Sequence, residues 1–194
     1  MTKKKKFYCI CGETCSGKDT LVNDIIKKYP DKLKLVCSYA TRPRRDNETE
    51  GKEHYFVTKE EFDRIKNEKC ENILAYTKIS SNDESEGYEY MALDDELEKS
   101  NVYIIDPNGI KYLKDKYDDK LDIKVIYIYA PLEKRRERAK ASRSDFEKEF
   151  EKRVEAEEGQ FRDLVTNKEY DYIVCNDEYR NTLFLLGILL GVEK

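Results

Sequence analysis

The chain has 194 residues, 37 of them Lys or Arg and 41 Asp or Glu, so its formal net charge is only −4. That near-balance excludes a nucleic-acid binder driven by bulk charge, and the length suits one domain, or one domain with inserted lobes, around a real core. No apolar run reaches the roughly 18 residues that a bilayer-crossing helix needs.

At the N-terminus, four lysines precede a short apolar run, Phe7 to Cys11, that ends at Gly12 and is far short of a secretion-signal core. A cytoplasmic chain with no membrane partner is expected. Six cysteines, Cys9, Cys11, Cys15, Cys37, Cys70 and Cys175, are scattered without a C-x-x-C pair, and His54 is the one histidine, so the spacing fits no zinc site. Cys9, Cys37 and Cys175 lie in apolar runs and read as small hydrophobes.

Phe7 to Cys11 reads as a strand, Gly12 as a turn, and Leu21, Val22, Ile25 and Ile26 as the buried stripe of a helix. Leu33 to Cys37 reads as the second core strand. An insertion follows: Tyr55-Phe56-Val57 and Ile73 to Ile79 are strands of a smaller sheet, separated by a helix at Lys59 to Glu68. Asn82 to Glu98 holds eight acids and no Lys or Arg and reads as a solvated acidic loop and helix. The core rhythm resumes with strands at Val102 to Ile105, Val125 to Tyr129 and Tyr172 to Cys175. Helices are expected at Gly109 to Lys116, Leu132 to Lys140 and Phe146 to Val165, and a terminal amphipathic one at Leu183 to Val192. This alternation predicts an α/β fold with a mainly parallel sheet covered on both faces. Glu133 to Arg143 holds six basic residues against two acidic ones. There is no internal repeat or low-complexity linker, which predicts a single folding unit.

Gly12-Glu13-Thr14-Cys15-Ser16-Gly17-Lys18 fits G-x-x-x-x-G-K between a predicted strand and a predicted helix, the context the motif requires. Its glycines let backbone N–H groups wrap a phosphate chain, the helix N-terminus adds its positive end, and Lys18 adds a point charge. A nucleoside triphosphate fits that cradle. The residue after the lysine is Asp19, not the usual Ser or Thr, and Thr20 follows. Asp19 either holds Mg²⁺ beside Thr20 or caps the helix start. Further on, Arg42, Arg44 and Arg45 flank Pro43 directly after the second predicted strand. Alone they would read as a solvated loop. In that position their forked guanidinium groups suit a second phosphate facing the first.

At these residues the chain resembles the guanylate kinase family of P-loop nucleoside monophosphate kinases. The resemblance covers nearly the whole length: the P-loop at Gly12 to Thr20, S-x-x-T-R-x-x-R-x-x-E-x-x-G at Ser38 to Gly51, and the Phe56-Val57 strand. It continues through Asp106-Pro107-Asn108-Gly109, the arginine-rich stretch, the helix carrying Arg153, and Val174-Cys175-Asn176-Asp177. It implies transfer of a phosphoryl group from ATP to GMP, with Mg²⁺, by a P-loop NTPase core whose parallel sheet is flanked by helices. To that core it adds a small inserted lobe of mixed β structure, which binds the nucleoside monophosphate, and a helical lid. Residues 1–194 would form one such domain, with the core at about 1–38, 93–130 and 166–194, the lobe at about 39–92 and the lid at about 131–165.

The resemblance also implies roles. Gly12, Thr14, Ser16, Gly17, Lys18, Asp19, Thr20 and Asn176 would hold ATP, with Asp19 and Thr20 toward the metal. Ser38, Arg42, Arg45, Glu48, His54, Tyr55, Tyr90 and Asp106 would hold the acceptor. Lys18, Arg42, Arg138, Arg143 and Arg153 would act on the transferring group. The expected partners are ATP and a nucleoside monophosphate, on a monomer or homodimer, with no nucleic acid.

The chain departs from the family where the base is read. Ala75 stands where a glutamate reads guanine, Ala92 where a Ser or Thr does, Ile104 where a first carboxylate precedes Asp106, and His54 where a phosphate-binding tyrosine is usual, with Tyr55 the alternative register. Glu71, Thr77, Glu86 and Glu89 are candidate replacements for the base contacts. A different nucleotide, a phosphorylated sugar, or a non-catalytic binding module of the same fold are the competing readings.

Overall fold

A computed structural model describes residues 4–45, 48–79, 87–142 and 146–194, with positions 142 and 146–149 described by backbone alone. In chain order the first half holds β1 (Lys5–Cys11), α1 (Lys18–Lys28), β2 (Ser38–Ala40), β3 (His54–Phe56), α2 (Lys59–Glu68), β4 (Ile73–Ile79) and β5 (Tyr88–Leu93). The second half holds α3 (Glu96–Lys99), β6 (Val102–Ile104), α4 (Pro107–Tyr117), β7 (Leu121–Tyr129), α5 (Leu132–Ser142), α6 (Phe146–Thr166), β8 (Tyr172–Cys175) and α7 (Tyr179–Leu189).

β1 runs down the middle of a parallel sheet ordered β6-β1-β7-β8. Successive side chains of a strand point to opposite faces. Phe7, Cys9 and Cys11 therefore join Leu113, Tyr117, Phe161 and Leu164 on the α4 and α6 side, while Tyr8 and Ile10 join Leu21, Val22, Ile25 and Leu186 on the α1 and α7 side. Both faces are dry, which is why β1 and β7 read as near-continuous apolar runs. Burial pushes the Cys11 thiol up to about 12, so it packs as a neutral hydrophobe. Cys175, in contrast to the expectation, is exposed at the edge of the sheet. No helix of the described residues is long and apolar enough to cross a membrane.

The stretch Leu33 to Cys37 does not form the second core strand. Only Leu35 bridges, to Val102, with the Val36 N–H donating to Val102 O at 2.8 Å and Lys34 O accepting from the Asn101 and Val102 N–H groups at 3.0 Å; beyond it, Glu96 takes the Cys37 N–H at 3.1 Å. The chain then crosses into a second, mixed sheet ordered β3-β2-β5-β4. Thr58 caps α2 by accepting from the Glu61 N–H at 3.2 Å, the spacing of a capping box.

Within the stretch Asn82 to Glu98, expected as a solvated acidic loop and helix, positions 82–86 lie outside the described residues, α3 supplies the helix, and β5 replaces the loop with a strand. Tyr90 and Ala92 face the core side of the small sheet, and Glu89, Met91 and Leu93 face α2. Glu89 is buried because Lys59, Lys66 and the Tyr76 hydroxyl meet its carboxylate. Burial alone would raise its pKa, but Lys59 and Tyr76 outweigh that and hold it below the ordinary carboxylate value. Acid content marked the segment as wet; pairing with cations from α2, which pattern alone does not display, makes burial of this one acid tolerable. Glu89→Gln is expected to lower the unfolding free energy by about 1–3 kcal/mol in a denaturant titration while leaving ATP binding unchanged, since Glu89 faces away from the phosphate loop.

Candidate active site

The turn from β1 into α1 is drawn tight against the ends of the other core strands. A Cβ on Gly12 would lie 2.4 Å from Ile128 O, and one on Gly17 2.4 Å from Asn176 Nδ2. Gly17 also has φ +87°, a left-handed conformation that glycine adopts without strain. Between them, the carbonyls of Thr14, Cys15 and Ser16 are met by donors from elsewhere in the chain. Arg135 Nη1 reaches Thr14 O at 3.4 Å, Arg138 Nη1 reaches Cys15 O and Ser16 O at 3.3 and 2.9 Å, and Asn176 Nδ2 reaches Ser16 O at 2.7 Å.

Lys18, at the first turn of α1, lies 3.2 Å from Asp19. Burial works against its charge, but Asp19 and Glu157 outweigh that and hold the ammonium above the ordinary lysine value. Ser16 Oγ is buried without a partner among the described residues, an orphan hydroxyl that a phosphate oxygen would satisfy. Asp19 and Thr20 are exposed at the helix start.

A second cluster faces this loop from the small sheet. Arg42, 6% exposed, is gripped by Glu48, which accepts from Nη1 and Nη2 at 2.7 and 2.5 Å, while Arg42 Nε donates to Tyr90 Oη at 3.1 Å. Glu48 also takes the Arg45 N–H at 2.9 Å. Burial together with the neighbouring Arg42 and Arg153 holds Arg45 below the ordinary arginine value. Ser38 and His54 are register partners in the parallel pair β2 and β3, and Ser38 Oγ meets His54 Nδ1 at 2.7 Å. His54 packs 5.6 Å from the Tyr90 ring, whereas Tyr55 stacks on Tyr39 on the opposite face, centroids 5.2 Å apart. His54, not Tyr55, therefore belongs to the cluster. Asp19 acts electrostatically on both His54 and Arg45, so the cluster and the phosphate loop confront one another.

The remaining expected residues fall in different places. Asp106 Oδ1 caps α4 by accepting from the Gly109 N–H at 3.0 Å, with Pro107 in the first turn. Asn176, 3% exposed, is a brace beneath the loop, its backbone O accepting from Arg138 Nη2 at 2.7 Å. Arg138 is thus committed to loop and brace carbonyls. Arg143 lies outside the described residues. Arg153, half-buried on α6, is in electrostatic reach of Cys15 and of Arg45. Of the residues proposed to replace the base contacts, Glu86 lies outside the described residues and Glu89 faces α2; Thr77 shares the Tyr90 face, next to the Ala75–Ala92 pair.

Two loop partners escaped sequence reading. Arg135 was one basic residue among six, and Glu157, whose carboxylate takes the Thr14 N–H at 2.7 Å, one acid in an acid-rich helix. The signal that could have found Glu157 is its place on the inward stripe of α6 with Phe150, Val154 and Phe161.

Burial, reinforced by Arg42, pushes the His54 imidazole from its ordinary 6.5 to about 4. His54 is neutral at pH 7 and, in the unfolded chain, takes up a proton that the folded chain refuses. Its contribution to stability is present above about pH 6.5 and is lost as pH falls toward 4, by up to about 3 kcal/mol. Unfolding free energy measured across that window is expected to fall with pH, and His54→Gln to flatten the fall.

Comparison with known proteins agrees with this geometry. The guanylate kinase family profile matches residues 4–190. The guanylate kinase of Thermotoga maritima is 27% identical over 198 residues, spanning 98% of this chain and 88% of the relative. That of Blochmanniella floridana is 30% identical over 184 residues, spanning 92% and 82%. Among solved structures, guanylate kinase from Anaplasma phagocytophilum shares the fold with a TM-score of 0.66 at 21% identity, over 98% of this chain and 87% of that one. With a phosphate loop and an arginine cluster facing each other, and a family match along almost its entire length, the chain belongs to the guanylate kinase family.

Proposed function

We propose that the protein transfers the γ-phosphoryl group of ATP to GMP through the two facing clusters. The observation that carries this reading is a phosphate loop, with Lys18 and the unpartnered Ser16 Oγ, facing the Arg42 and Arg45 cluster that Glu48 and Tyr90 hold in place. Two cationic clusters facing one another suit two phosphate-bearing substrates that meet between them. An oxygen of the acceptor phosphate attacks the γ-phosphorus as the bond to the β–γ bridging oxygen breaks and ADP leaves, a reaction governed by positioning and charge neutralisation.

Each cluster has its task. Gly12, Ser16, Gly17 and Lys18 cradle the donor, with Asn176 and Arg138 keeping the loop in shape, whereas Thr14, whose N–H and hydroxyl both go to Glu157, shapes the loop without holding phosphate. Ser38, Arg42, Arg45, His54 and Tyr90 hold the acceptor phosphate, Glu48 aims Arg42, and Asp106 faces the acceptor from the end of β6. Arg153, with Arg143, closes on the transferring group from the lid, about 131–165, while the lobe at about 39–92 moves with the acceptor against the core. Asp19 and Thr20, exposed at the first turn of α1, offer the hard oxygen donors that Mg²⁺ takes alongside phosphates and water. When bound, that ion neutralises the donor's outer oxygens. We place the reaction in the cytoplasm, on a monomer or homodimer that needs no nucleic acid.

A second reading, weak discrimination of the base, is favoured by the Ala75–Ala92 pair, buried on the core-facing side of the small sheet with no polar atom to offer. Pockets without hydrogen-bonding groups reject near-isosteres by only about 10–200-fold.

Purified protein with ATP, Mg²⁺ and a panel of GMP, AMP, dGMP, CMP and UMP is expected to form ADP fastest with GMP, and Lys18→Ala to lower that rate by about 10²–10³-fold. AMP turnover within about 200-fold of GMP supports weak discrimination, and rejection beyond about 10⁴-fold overturns it. A flat response across the panel overturns the GMP reading. Asp19→Ala is expected to raise the Mg²⁺ concentration for half-maximal rate at least about tenfold; an unchanged dependence would leave Asp19 as a helix-start residue only.

A further inference from the structure

One acid of α6 is bound to the phosphate loop at two points. Thr14 gives its N–H to Glu157 Oε2 at 2.7 Å and its hydroxyl to Glu157 Oε1 at 2.6 Å. Both carboxylate oxygens are thereby engaged, by charge-assisted bonds of the stronger kind. Toward the start of the helix, Phe150 and Val154 pack with Cys15, the next loop residue, and with Leu132 and Ala139 of α5. Further along, Phe161 and Leu164 enter the core against the sheet. These residues recur every three or four positions, one face of the helix. Arg153 stands on that face, one turn before Glu157, in electrostatic reach of both Cys15 and Arg45.

We propose that Glu157 is a positioning residue for phosphoryl transfer: its carboxylate pins α6 to Thr14 and so holds Arg153, one turn away, between the phosphate loop and the acceptor cluster. The proposal rests on the phosphoryl-transfer reading of that site. A long arginine side chain has little orientation of its own, and the position of its backbone decides where the guanidinium can go. Displacement of a catalytic group by about 1 Å costs about 10²-fold in rate, and a helix attached by apolar contacts alone can slide or roll by that much.

The chemistry favours a carboxylate at this position. Two donors meet two acceptor oxygens, whereas a glutamine amide would turn an N–H₂ toward one of them. The carboxylate also favours the charged form of Lys18, so the anchor adds to the field that keeps the loop lysine charged. Glu157 takes only the donors of Thr14, at the front of the loop, and leaves Gly17 and Lys18 behind it to the donor phosphates. A plug competing with ATP would instead have to occupy that part of the loop.

The test uses the full chain with ATP, Mg²⁺ and GMP. Glu157→Gln is expected to lower kcat by about 10–100-fold with both KM values within about threefold of wild type. Arg153→Lys is expected to lower kcat in the wild-type background and to add almost nothing in Glu157→Gln, because an arginine already out of place has little left to lose. Thr14→Val, which keeps the N–H and removes the hydroxyl, is expected to give a smaller loss of the same kind. Amide hydrogen exchange in the nucleotide-free protein is expected to speed up along α6 between 150 and 161 in Glu157→Gln, a readout independent of any substrate.

Unchanged kcat, additive effects with Arg153→Lys, or tighter ATP binding in Glu157→Gln would each overturn the positioning role, the last in favour of a plug. Unchanged exchange along α6 would overturn the anchor whatever the activity. Absence of wild-type turnover with GMP would count against the functional reading alone, with the exchange measurement still deciding whether Glu157 anchors α6.

Discussion

A loop that turns its N–H groups toward an anion must turn its carbonyls the other way, and those carbonyls need donors of their own. In this chain Arg135, Arg138 and Asn176 supply them, at Thr14, Cys15 and Ser16. The donors come from α5 and from the residue following β8, far from the loop in sequence. The shape of the phosphate cradle is therefore a tertiary product: close approach at Gly12 and Gly17 allows the turn, and the borrowed donors hold it. Arginines that composition would assign to substrate are partly consumed in this bracing, which fixes what remains for chemistry.

The same economy governs the acceptor side. Glu48 holds Arg42 in a fork and takes the Arg45 N–H, so one carboxylate grips the Arg42 guanidinium and fixes the backbone of Arg45. His54, neutral and half-buried, and Ser38 complete a surface that is polar without adding positive charge. A near-neutral bulk charge is compatible with such a site because the compensating acids sit elsewhere: Glu89 faces α2, Glu96 is buried beside Ser100, and many more lie on exposed surface.

Much of this was legible in the sequence. The G-x-x-x-x-G-K spacing with a strand before and a helix after, the limits of α2 and β8, and the arginines following Ser38 are local patterns, set by side-chain period, capping and the conformational freedom of glycine. Where the expectation failed, partners distant along the chain were responsible. Leu33 to Cys37 has the composition of a strand, but its pairing with β6 is confined to the neighbourhood of Leu35, and beyond it Glu96 takes the Cys37 N–H. Tyr88 to Leu93 lies in an acid-rich stretch that reads as a surface loop, but Lys59, Lys66 and Tyr76 neutralise Glu89 within a sheet.

By itself the sequence determined the fold class, the phosphate-binding loop and the two regions of positive charge, because each rests on periodicity or spacing within a few turns of chain. Only the tertiary structure decided that His54 and not Tyr55 faces the arginines, that Arg138 and Asn176 brace the loop, and that Glu157 ties α6 to Thr14. Strand pairing selects one face of β3, and contacts between α5, α6 and the loop select which charges are spent on backbone. Both depend on elements separated by scores of residues, whose meeting no local pattern records.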